Sequence, residues 1–574
     1  MTDVAELIVG ALAEHGVRQV WGVVGDALNP VTDAIRRQEG IEWIGVRHEE
    51  AAAFAASAQA QLSDRIGVCM GTVGPGSIHL LNGLYDAKKS HAPVLALCGQ
   101  VPTPDIGTDF FQEVNNDVLF ADVADFAQTI TSPAQLPQLL EQAVNTAYAE
   151  GGVAVLTLPG DVGSLEVPHD SRAPRFAPRT AEVTAPDDQL AEAARVLNSA
   201  DRVTLLVGCG ASQDRAEVLT VAERLKAPMV LTLKAKAGLE ADNPYQLGQS
   251  GLIGNPSTRK AFDDCDVLFL IGTDFPYRDW YPQGKTVIAL NSRAGHIGRR
   301  TPVDHALVGH AGPTLRALVD LLDAKDDTDH LQAATDAYAG WLEDQAKLAD
   351  PDHDDRSWLG KLRGKADNPE GLIRPEVIAA ALDRHAASDA VFTTDTGMST
   401  VWISRFVHLR DDRALIGSYN LGSMANAMPQ ALGAQALDRG RQVIANCGDG
   451  GLMMLLGDLR TAVTYRLPVT FVVYDNGRLG MVKLEQEQGG LPEFGTELDN
   501  PDLSAVAASL GLRSRRVTDA DDVDTAVREA LAHDGPYLLD FVTNPDEIAL
   551  PPKTTPADAW GFAIAKSKEF LESR

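Results

Sequence analysis

The sequence predicts an α/β protein with three doubly wound parallel sheets, and three observations support this. Short apolar runs that suit buried strands alternate with helical stretches along almost the whole chain. Several of these runs end in glycine-rich turns, as strands of open α/β sheets do. A proline-rich stretch at residues 168–186 and an acidic stretch at 324–363 separate three such segments. We therefore expect domains at 1–167, 187–340 and 365–545, followed by a tail at 546–574.

Composition and charge exclude several classes of protein. The 574 residues are 44% hydrophobic and 23% charged, which is enough apolar material for several cores. The net charge of −30 argues against nucleic acid and against attraction to anionic lipid. The simplest explanation of this negative charge is solubility, and adaptation to a salt-rich habitat is the weaker alternative. Five scattered cysteines without a CxxC pair, an amphipathic N-terminus and no run of transmembrane length predict a cytoplasmic protein.

In the first segment, a strand at 41–46 leads into Glu49 and Glu50, and an alanine-rich helix follows at 51–61. A carboxylate at the end of a buried strand is poorly solvated, which suits a catalytic acid or base. The alternative is an acid pair that favours the dipole at a helix N-terminus. A strand at 66–70 then ends in a glycine-rich turn that contains Gly74.

The third segment contains the most informative stretch, residues 444–481. A strand ends in Gly448, Asp449 and Gly450, a helix is predicted at 451–465, and a second strand at 469–474 ends in a turn at Asp475 and Asn476. This strand-helix-strand unit places Asp449 and Asn476 at the same edge of a parallel sheet, where ligands bind. Their oxygens are the hard donors that Mg²⁺ takes, and Mg²⁺ usually brings a phosphorylated ligand. An ordinary turn with an exposed Asp is the alternative.

GDG followed by an Asn-containing turn after about 25 residues resembles the motif of the thiamine diphosphate enzymes. In that family the second residue of an Asn-Asn pair binds the metal, and this chain has Asp475 and Asn476 instead. The resemblance implies that Asp449, Asn476 and the backbone carbonyl of Arg478 bind Mg²⁺. It also implies that Glu49, from one subunit of a dimer, hydrogen-bonds the aminopyrimidine ring of the cofactor held by the other.

Three longer stretches resemble the pyruvate:quinone oxidoreductases within that family: NPYQLGQSGLIG at 243–254, LIGTDFPYRDWYP at 270–282 and GSYNLGSMANAMPQ at 417–430. The resemblance covers nearly the whole chain. It implies a pyrimidine-binding domain, a central FAD-binding domain and a diphosphate-binding domain in that order. The implied reaction is oxidative decarboxylation of pyruvate, or a similar 2-oxo acid, to acetate and CO₂, with electrons passing through FAD to a quinone.

The resemblance assigns roles residue by residue. Catalytic roles fall to Glu49, Phe111, Gln112 and Glu485. Thiamine diphosphate contacts, besides Glu49, fall to Gly74, Gly422, Ser423, Met424, Asp449, Gly450, Gly451, Asn476, Leu479, Gly480 and Met481. FAD contacts fall to Gly251, Leu252, Ile253, Gly254, Thr273, Asp274, Phe275, Pro276, Tyr277 and Asn291. Asn291 and His310 each stand where the family has an Asp near the flavin nucleotide.

Three alternatives stay open: an oxidase that uses oxygen, a carboligase like acetolactate synthase with structural or absent FAD, and a non-catalytic member. The family implies a homo-oligomer, usually a dimer of dimers. The tail is shorter and more polar than the membrane-binding tail of the quinone-reducing members, so association with the inner face of the cell membrane is at most peripheral. For the acidic run at 352–355, a solvated surface is favoured over a metal site.

Overall fold

The computed structural model describes residues 2–63, 65–177, 181–351 and 371–547. It confirms the predicted fold class, because the strands form three six-stranded sheets in which all neighbours are parallel. The first sheet contains β1 Gln19–Gly22, β2 Glu42–Gly45, β3 Gly67–Gly71, β4 Val94–Gln100, β5 Phe126–Thr129 and β6 Val153–Pro159. The second contains β7 Val203–Val207, β8 Met229–Leu231, β9 Gln246–Gln249, β10 Val267–Ile271, β11 Thr286–Asn291 and β12 His305–Val308. The third contains β13 Val391–Thr394, β14 Ala414–Gly417, β15 Val443–Gly448, β16 Thr470–Asp475, β17 Arg513–Val517 and β18 Tyr537–Val542.

Helices cover both faces of the sheets, as parallel connections require. Those of the first unit are Val4–Glu14, Asn29–Arg36, Glu49–Leu62, Pro75–His79, Leu81–Ser90, Asn116–Leu119 and Leu136–Glu150. Those of the second are Asp187–Ser199, Arg215–Leu225, Leu233–Leu239, Pro256–Asp264, Ala311–Val319 and Asp329–Leu348. Those of the third are Pro375–His385, Met398–Phe406, Ala427–Leu437, Asp449–Met454, Leu459–Tyr465, Gly480–Gln488, Leu503–Ser509 and Val523–Leu531.

Each sheet has one interior point where the direction of strand succession reverses, and the first and third sheets also exchange the order of their last two strands at one edge. The strand orders are β2-β1-β3-β4-β6-β5, β12-β11-β10-β7-β8-β9 and β14-β13-β15-β16-β18-β17. The reversals therefore fall between β1 and β3, between β10 and β7, and between β13 and β15. Crevices for ligands open at the carboxyl ends of the strands at such points.

The alanine-rich helix Glu49–Leu62 packs between its own sheet and the helix Ala427–Leu437 of the third unit. A Cβ atom added at Gly433 would lie 2.3 Å from the backbone oxygen of Ala55, so only glycine allows this approach. The Nε2 atom of Gln59 also donates to the carbonyl of Gly433 at 3.2 Å. The small side chains thus hold the first and third units together within one chain.

The prediction of a single helix at 451–465 is wrong, because this segment forms two helices joined by a 3₁₀ turn. The turn is Leu456–Asp458, and Leu455 leaves helical geometry at φ −122° and ψ 26°. Gly457 and Asp458 are poor helix formers. The Oδ1 atom of Asp458 instead accepts from the backbone N–H of Arg47 at 2.8 Å. The break therefore supports the loop that leads to Glu49.

All five cysteines are free. Within the described ranges, no helix is long and apolar enough to cross a membrane. The acidic run at 352–355 and residues 548–574 of the tail lie outside the described residues.

Candidate active site

Asp449 lies at the reversal point of the third sheet, directly after β15. Its side chain is 3% exposed, and its carboxylate accepts from the backbone N–H of Gly450 at 2.9 Å and of Gly477 at 2.8 Å. Burial raises the pKa of Asp449 to about 6, and the nearby Asp475 adds to this. Burial disfavours the charged form of this carboxylate, and a bound cation would offset that cost, which suits a metal ligand.

The turn after β13 supports the turn after β15. The carboxylate of Asp395 accepts from the backbone N–H of Ala427 at 2.9 Å and of Gly448 at 3.1 Å, and burial raises its pKa to about 7. A Cβ atom added at Gly451 would lie 2.4 Å from Oδ2 of Asp395. This close approach therefore requires glycine at position 451.

These turns enclose a cavity of about 230 Å³ in the third unit. Ten residues with assigned thiamine diphosphate or metal roles line it together: Gly422, Met424, Asp449, Gly450, Gly451, Asn476, Arg478, Leu479, Gly480 and Met481. Met424 and Leu479 close over Gly450, within 3.3 Å of where its Cβ would stand. Ser423 lies beside the cavity, where its Oγ atom donates to the backbone oxygen of Met424 at 2.8 Å.

The loop after β16 presents the other expected metal ligands. The Oδ1 atom of Asn476 accepts from the backbone N–H of Arg478 at 3.0 Å, which forms a tight side-chain turn. The guanidinium of Arg478 forms ion pairs with Glu493 and Glu497, both at 3.0 Å. These contacts fix the loop and leave amide and carbonyl oxygens beside Asp449. The set of hard oxygen donors fits Mg²⁺.

Glu49 begins its helix at the edge of the first sheet and is buried. Its Oε2 atom lies 2.9 Å from Nδ1 of His79, and the ring of His79 stacks on that of His48 at 4.3 Å. Its Oε1 atom lies 3.1 Å from the position of a Cβ on Gly76. The neighbouring Glu50 accepts from Asn82 at 2.7 Å instead. The structure thus separates the two adjacent acids, and Glu49 is the one beside the glycine turn.

Gln112 lies against Gly74, whose added Cβ would meet the Gln112 backbone oxygen at 2.7 Å. Phe111 is 78% exposed and Phe110 is 48% exposed in the single chain. All of the described residues that line the 230 Å³ cavity lie between positions 375 and 547. Glu49, Gly74, Phe111 and Gln112 therefore form a separate group at the first sheet.

A second cavity, of about 280 Å³, lies between the second and third units. Leu252, Ile253, Asp274, Phe275, Pro276 and Tyr277 line it from one side, and Met481 and Glu485 line it from the other. Gly251 packs under the rings of Phe275 and Tyr277. The backbone oxygen of Gly254 accepts from Arg405 at 3.3 Å, outside the cavity lining. Thr396, Gly397 and Met481 line both this cavity and the one beside Asp449, so the two share a wall.

A third cleft, of about 570 Å³, opens at the reversal point of the second sheet. It is basic although the chain is strongly acidic: Lys234, Arg293, His91, His296 and His310 line it, and Asp274 is the one acid among its described lining residues. Asp274 lies between His91 at 2.8 Å and His296 at 3.0 Å, and His91 above all holds its pKa well below the usual range. The cleft suits an extended anionic ligand.

The two departures noted from the sequence have defined positions here. Asn291 lines the cleft at the end of β11, and its Oδ1 atom accepts from the backbone N–H of Arg293 at 2.9 Å. His310 lies on the cleft wall, where its Nδ1 atom accepts from the backbone N–H of Val183 at 2.9 Å. Thr273 lines the adjoining pocket with Asn291. Neither departure adds charge that would repel an anion.

Sequence reasoning missed several residues of the site. Asp395, Asn500, His79 and Lys234 touch groups with assigned roles or line the cavities, and Asp458 supports the loop before Glu49 through the backbone of Arg47. Asp395 follows a strand and precedes Thr-Gly, which is a signal that could have identified it. Asn500 and Asp458 lie in irregular or broken segments, where no pattern in the sequence marks them.

Sequence comparison extends these observations over the chain. Three family models match in order: the N-terminal thiamine pyrophosphate (thiamine diphosphate) binding domain at residues 2–119, the central domain at 190–318 and the C-terminal binding domain at 395–541. A putative thiamine pyrophosphate-containing protein, YdaP, of Bacillus subtilis is 37% identical over 98% of this chain and 95% of its own. A pyruvate oxidase of Lactiplantibacillus plantarum is 32% identical over 94% and 88%.

The large subunit of acetolactate synthase isozyme 2 of Escherichia coli is also 32% identical, over 93% of this chain and 94% of its own. The match therefore includes relatives with two different activities, and identity alone does not separate them. Because the three family models and these relatives together match nearly the whole chain, it belongs to the thiamine pyrophosphate-dependent, decarboxylating enzymes.

Proposed function

We propose that the protein oxidatively decarboxylates pyruvate, or a similar 2-oxo acid, to acetate and CO₂ and passes the electrons through FAD to a quinone. The main support is the wall that the two cavities share. Thr396, Gly397 and Met481 line both the cavity beside Asp449 and the cavity of Leu252, Phe275 and Tyr277. A ligand ring in each would lie on either side of this thin wall, which suits electron transfer between them.

The residues present fit both cofactors. Asp449, Asn476 and the carbonyl of Arg478 would hold Mg²⁺ and, through it, the diphosphate, while Met424 and Leu479 enclose the ligand. The basic cleft at Lys234 and Arg293 would hold the phosphates of FAD, and the cavity at Phe275 and Tyr277 its ring. Bound thiamine diphosphate supplies the electron sink for the carbanion left by decarboxylation, and FAD supplies the two-electron acceptor.

The protein's own part is to orient these groups and to control protons. Glu49, held by His79, would share a proton at its Oε1 atom with the cofactor ring that a partner subunit binds. Met481, which lines both cavities, and Leu479, which lines the first, would limit the access of water to the first cavity. Glu485 lines the second cavity together with Met481, and the resemblance assigns it a role at the mouth of the active site.

The position of Glu49 outside the cavity of its own chain supports a dimer as the smallest active unit. Phe111, 78% exposed beside Gln112, would be covered by the partner's third unit and would line the substrate pocket there. We propose that dimers pair into a tetramer, as the resemblance implies.

The visible spectrum of the purified protein tests the proposal. With thiamine diphosphate and Mg²⁺ present, anaerobic pyruvate should bleach the flavin bands, and a soluble quinone should restore them faster than dissolved oxygen does. Fast recovery with oxygen instead would indicate an oxidase. Bands that stay oxidised while acetolactate accumulates would refute the proposal in favour of a carboligase.

A further inference from the structure

The residue before the expected metal ligand Asn476 differs in kind from its family counterpart. Asp475, the last residue of β16, is 6% exposed and carries a carboxylate where the motif has an amide. Its Oδ1 atom accepts from the Nδ2 atom of Asn500 at 2.8 Å, and its Oδ2 atom lies 3.4 Å from the guanidinium of Arg516. The structure therefore gives this carboxylate a specific partner on each oxygen.

Asn500 connects Asp475 to the metal-site carboxylate. The same Nδ2 atom that donates to Asp475 also donates to Oδ2 of Asp449 at 2.7 Å. One amide nitrogen has two hydrogens, and here each is directed at a different carboxylate. Both carboxylates thus lie within hydrogen-bond distance of one nitrogen, and this bridge joins Asp475 to Asp449, which also accepts from the backbone N–H groups of Gly450 and Gly477.

The charges around this bridge do not balance. Arg516 also lies 2.5 Å from Oδ2 of Asp540, which is fully buried, and 3.8 Å from the half-exposed Asp502. The cluster contains three buried acids, Asp449, Asp475 and Asp540. Among the described residues that hydrogen-bond to these acids, Arg516 is the one cation. The excess negative charge lies next to the cavity, on the side of Asp449.

We propose that Asp475 is a positioning residue which, through Asn500, fixes Asp449 and strengthens the binding of a divalent cation beyond what an Asn at 475 would allow. The inference rests on the proposed metal site. An Asn at 475 could still accept from Asn500, but it would contribute no charge. Because a divalent ion at Asp449 would lie close to the Asp475 carboxylate in a poorly solvated environment, that charge adds directly to its binding.

The test uses the full-length protein freed of cofactors and measures the dissociation constant of Mg²⁺ by titration in the presence of saturating thiamine diphosphate. Asp475→Asn should weaken Mg²⁺ binding by about fivefold to tenfold, because one near charge is removed. The unfolding midpoint of the cofactor-free variant should stay close to that of the wild type, since the two side chains have nearly the same shape. Mg²⁺ binding within twofold of the wild type would overturn the proposal.

Asp502→Asn is the matched control. It removes the same charge beside the same Arg516, but Asp502 does not contact Asn500 in the hydrogen bonds of the described residues. Mg²⁺ binding should change by less than twofold. Equal weakening in both variants would mean that bulk charge, and not the bridge to Asp449, sets the affinity, and would overturn the proposal.

Asp449→Asn separates this inference from the proposed metal site. If Asp449→Asn loses Mg²⁺-dependent binding and Asp475→Asn does not weaken it, the bridge has no role while the metal site stands. If Asp449→Asn binds Mg²⁺ as well as the wild type, the metal site itself is wrong.

Discussion

The imidazole of His79 holds the carboxylate of Glu49, with 2.9 Å between Nδ1 and Oε2. The ring of His48 stacks on His79 at 4.3 Å and restricts its rotation. Only the Oε1 side of Glu49 then faces the glycine turn at Gly76. The carboxylate is therefore oriented before any cofactor binds, which is what a proton-sharing group needs.

Glu49→Gln should retain thiamine diphosphate binding and lose most of the turnover. The amide keeps the shape and one hydrogen-bond acceptor, but it cannot share a proton, and we expect a loss of about 10²-fold to 10⁴-fold in kcat. Steady-state decarboxylation and cofactor binding measured on one preparation check this. The matched control is Glu50→Gln, whose carboxylate accepts from Asn82 and is not among the nearest atoms at Gly76, and which should retain most of the activity. Turnover near that of the wild type in Glu49→Gln would contradict the role.

Gly451→Ala should destabilise the protein even without cofactors. The added Cβ would meet Oδ2 of Asp395 at 2.4 Å, and this carboxylate is fixed by two backbone N–H groups, so it cannot move away cheaply. We expect a cost of about 2 kcal/mol, within the range for overpacked cores. Thermal unfolding of the cofactor-free variant measures it.

Gly448→Ala provides the comparison for Gly451→Ala. A Cβ at Gly448 would meet no atom within 4 Å, and its backbone has an ordinary negative φ of −72°. Its unfolding temperature without cofactors should match that of the wild type. Equal destabilisation of both variants would show that the contact with Asp395 is not the cause.

The fold could be predicted from the sequence because each buried strand is a short apolar run that ends in a turn residue. Val443–Gly448 and Thr470–Asp475 are examples, and both match their expected positions closely. The parallel arrangement then followed from the alternation with helices. The break in the helix near Leu455 could not be predicted, because it depends on the hydrogen bond of Asp458 to Arg47, more than 400 residues earlier in the chain.

The candidate site likewise contains residues that the sequence could predict and residues that it could not. Asp449 and Asn476 are marked by local turns, so the spacing of the motif was enough to place them in one cavity. His79 and Asn500 act through contacts between distant segments, at sequence separations of 30 and 51 residues from Glu49 and Asp449. The surroundings of Asn291 and His310 could not be predicted either, because the charged groups of their cleft come from five segments that are far apart in the sequence.

Lys234→Met should weaken FAD retention. Lys234 lines both the basic cleft and the cavity of Phe275 and Tyr277, so its ammonium lies where the two parts of an extended dinucleotide would join. Loss of a charge-assisted contact to phosphate should weaken FAD binding by about tenfold. Equilibrium dialysis against FAD measures the change, independently of turnover.

The control for this variant is Lys226→Met, a lysine that pairs with Glu223 at 2.5 Å and is not among the described residues that line the cleft. It should bind FAD as the wild type does. If Lys234→Met binds FAD unchanged, the basic cleft does not hold the dinucleotide phosphates, and the assignment of FAD to this cleft is wrong.

Glu376→Gln should stabilise the cofactor-free protein in a pH-dependent way. Glu376 is 3% exposed, and its Oε2 atom has no hydrogen-bond partner among the described residues. Burial, with a contribution from Glu547, raises its pKa to about 8. Because the folded pKa lies above the unfolded value of about 4.3, the unfolded chain loses this proton first as pH rises. The contribution of Glu376 to stability is therefore present below the unfolded pKa and is lost progressively up to about pH 8.

Gln keeps the neutral state at every pH, so the variant should gain relative to the wild type as pH increases. We expect little difference in unfolding midpoint at pH 5 and an advantage of about 2 kcal/mol or more at pH 8. Thermal unfolding of both proteins at the two pH values checks this, and Glu39→Gln on the surface should show no such trend. An advantage of Glu376→Gln that is constant between pH 5 and pH 8 would mean that Glu376 is ionised in the folded protein, in which case Arg374 and Arg405 must neutralise it.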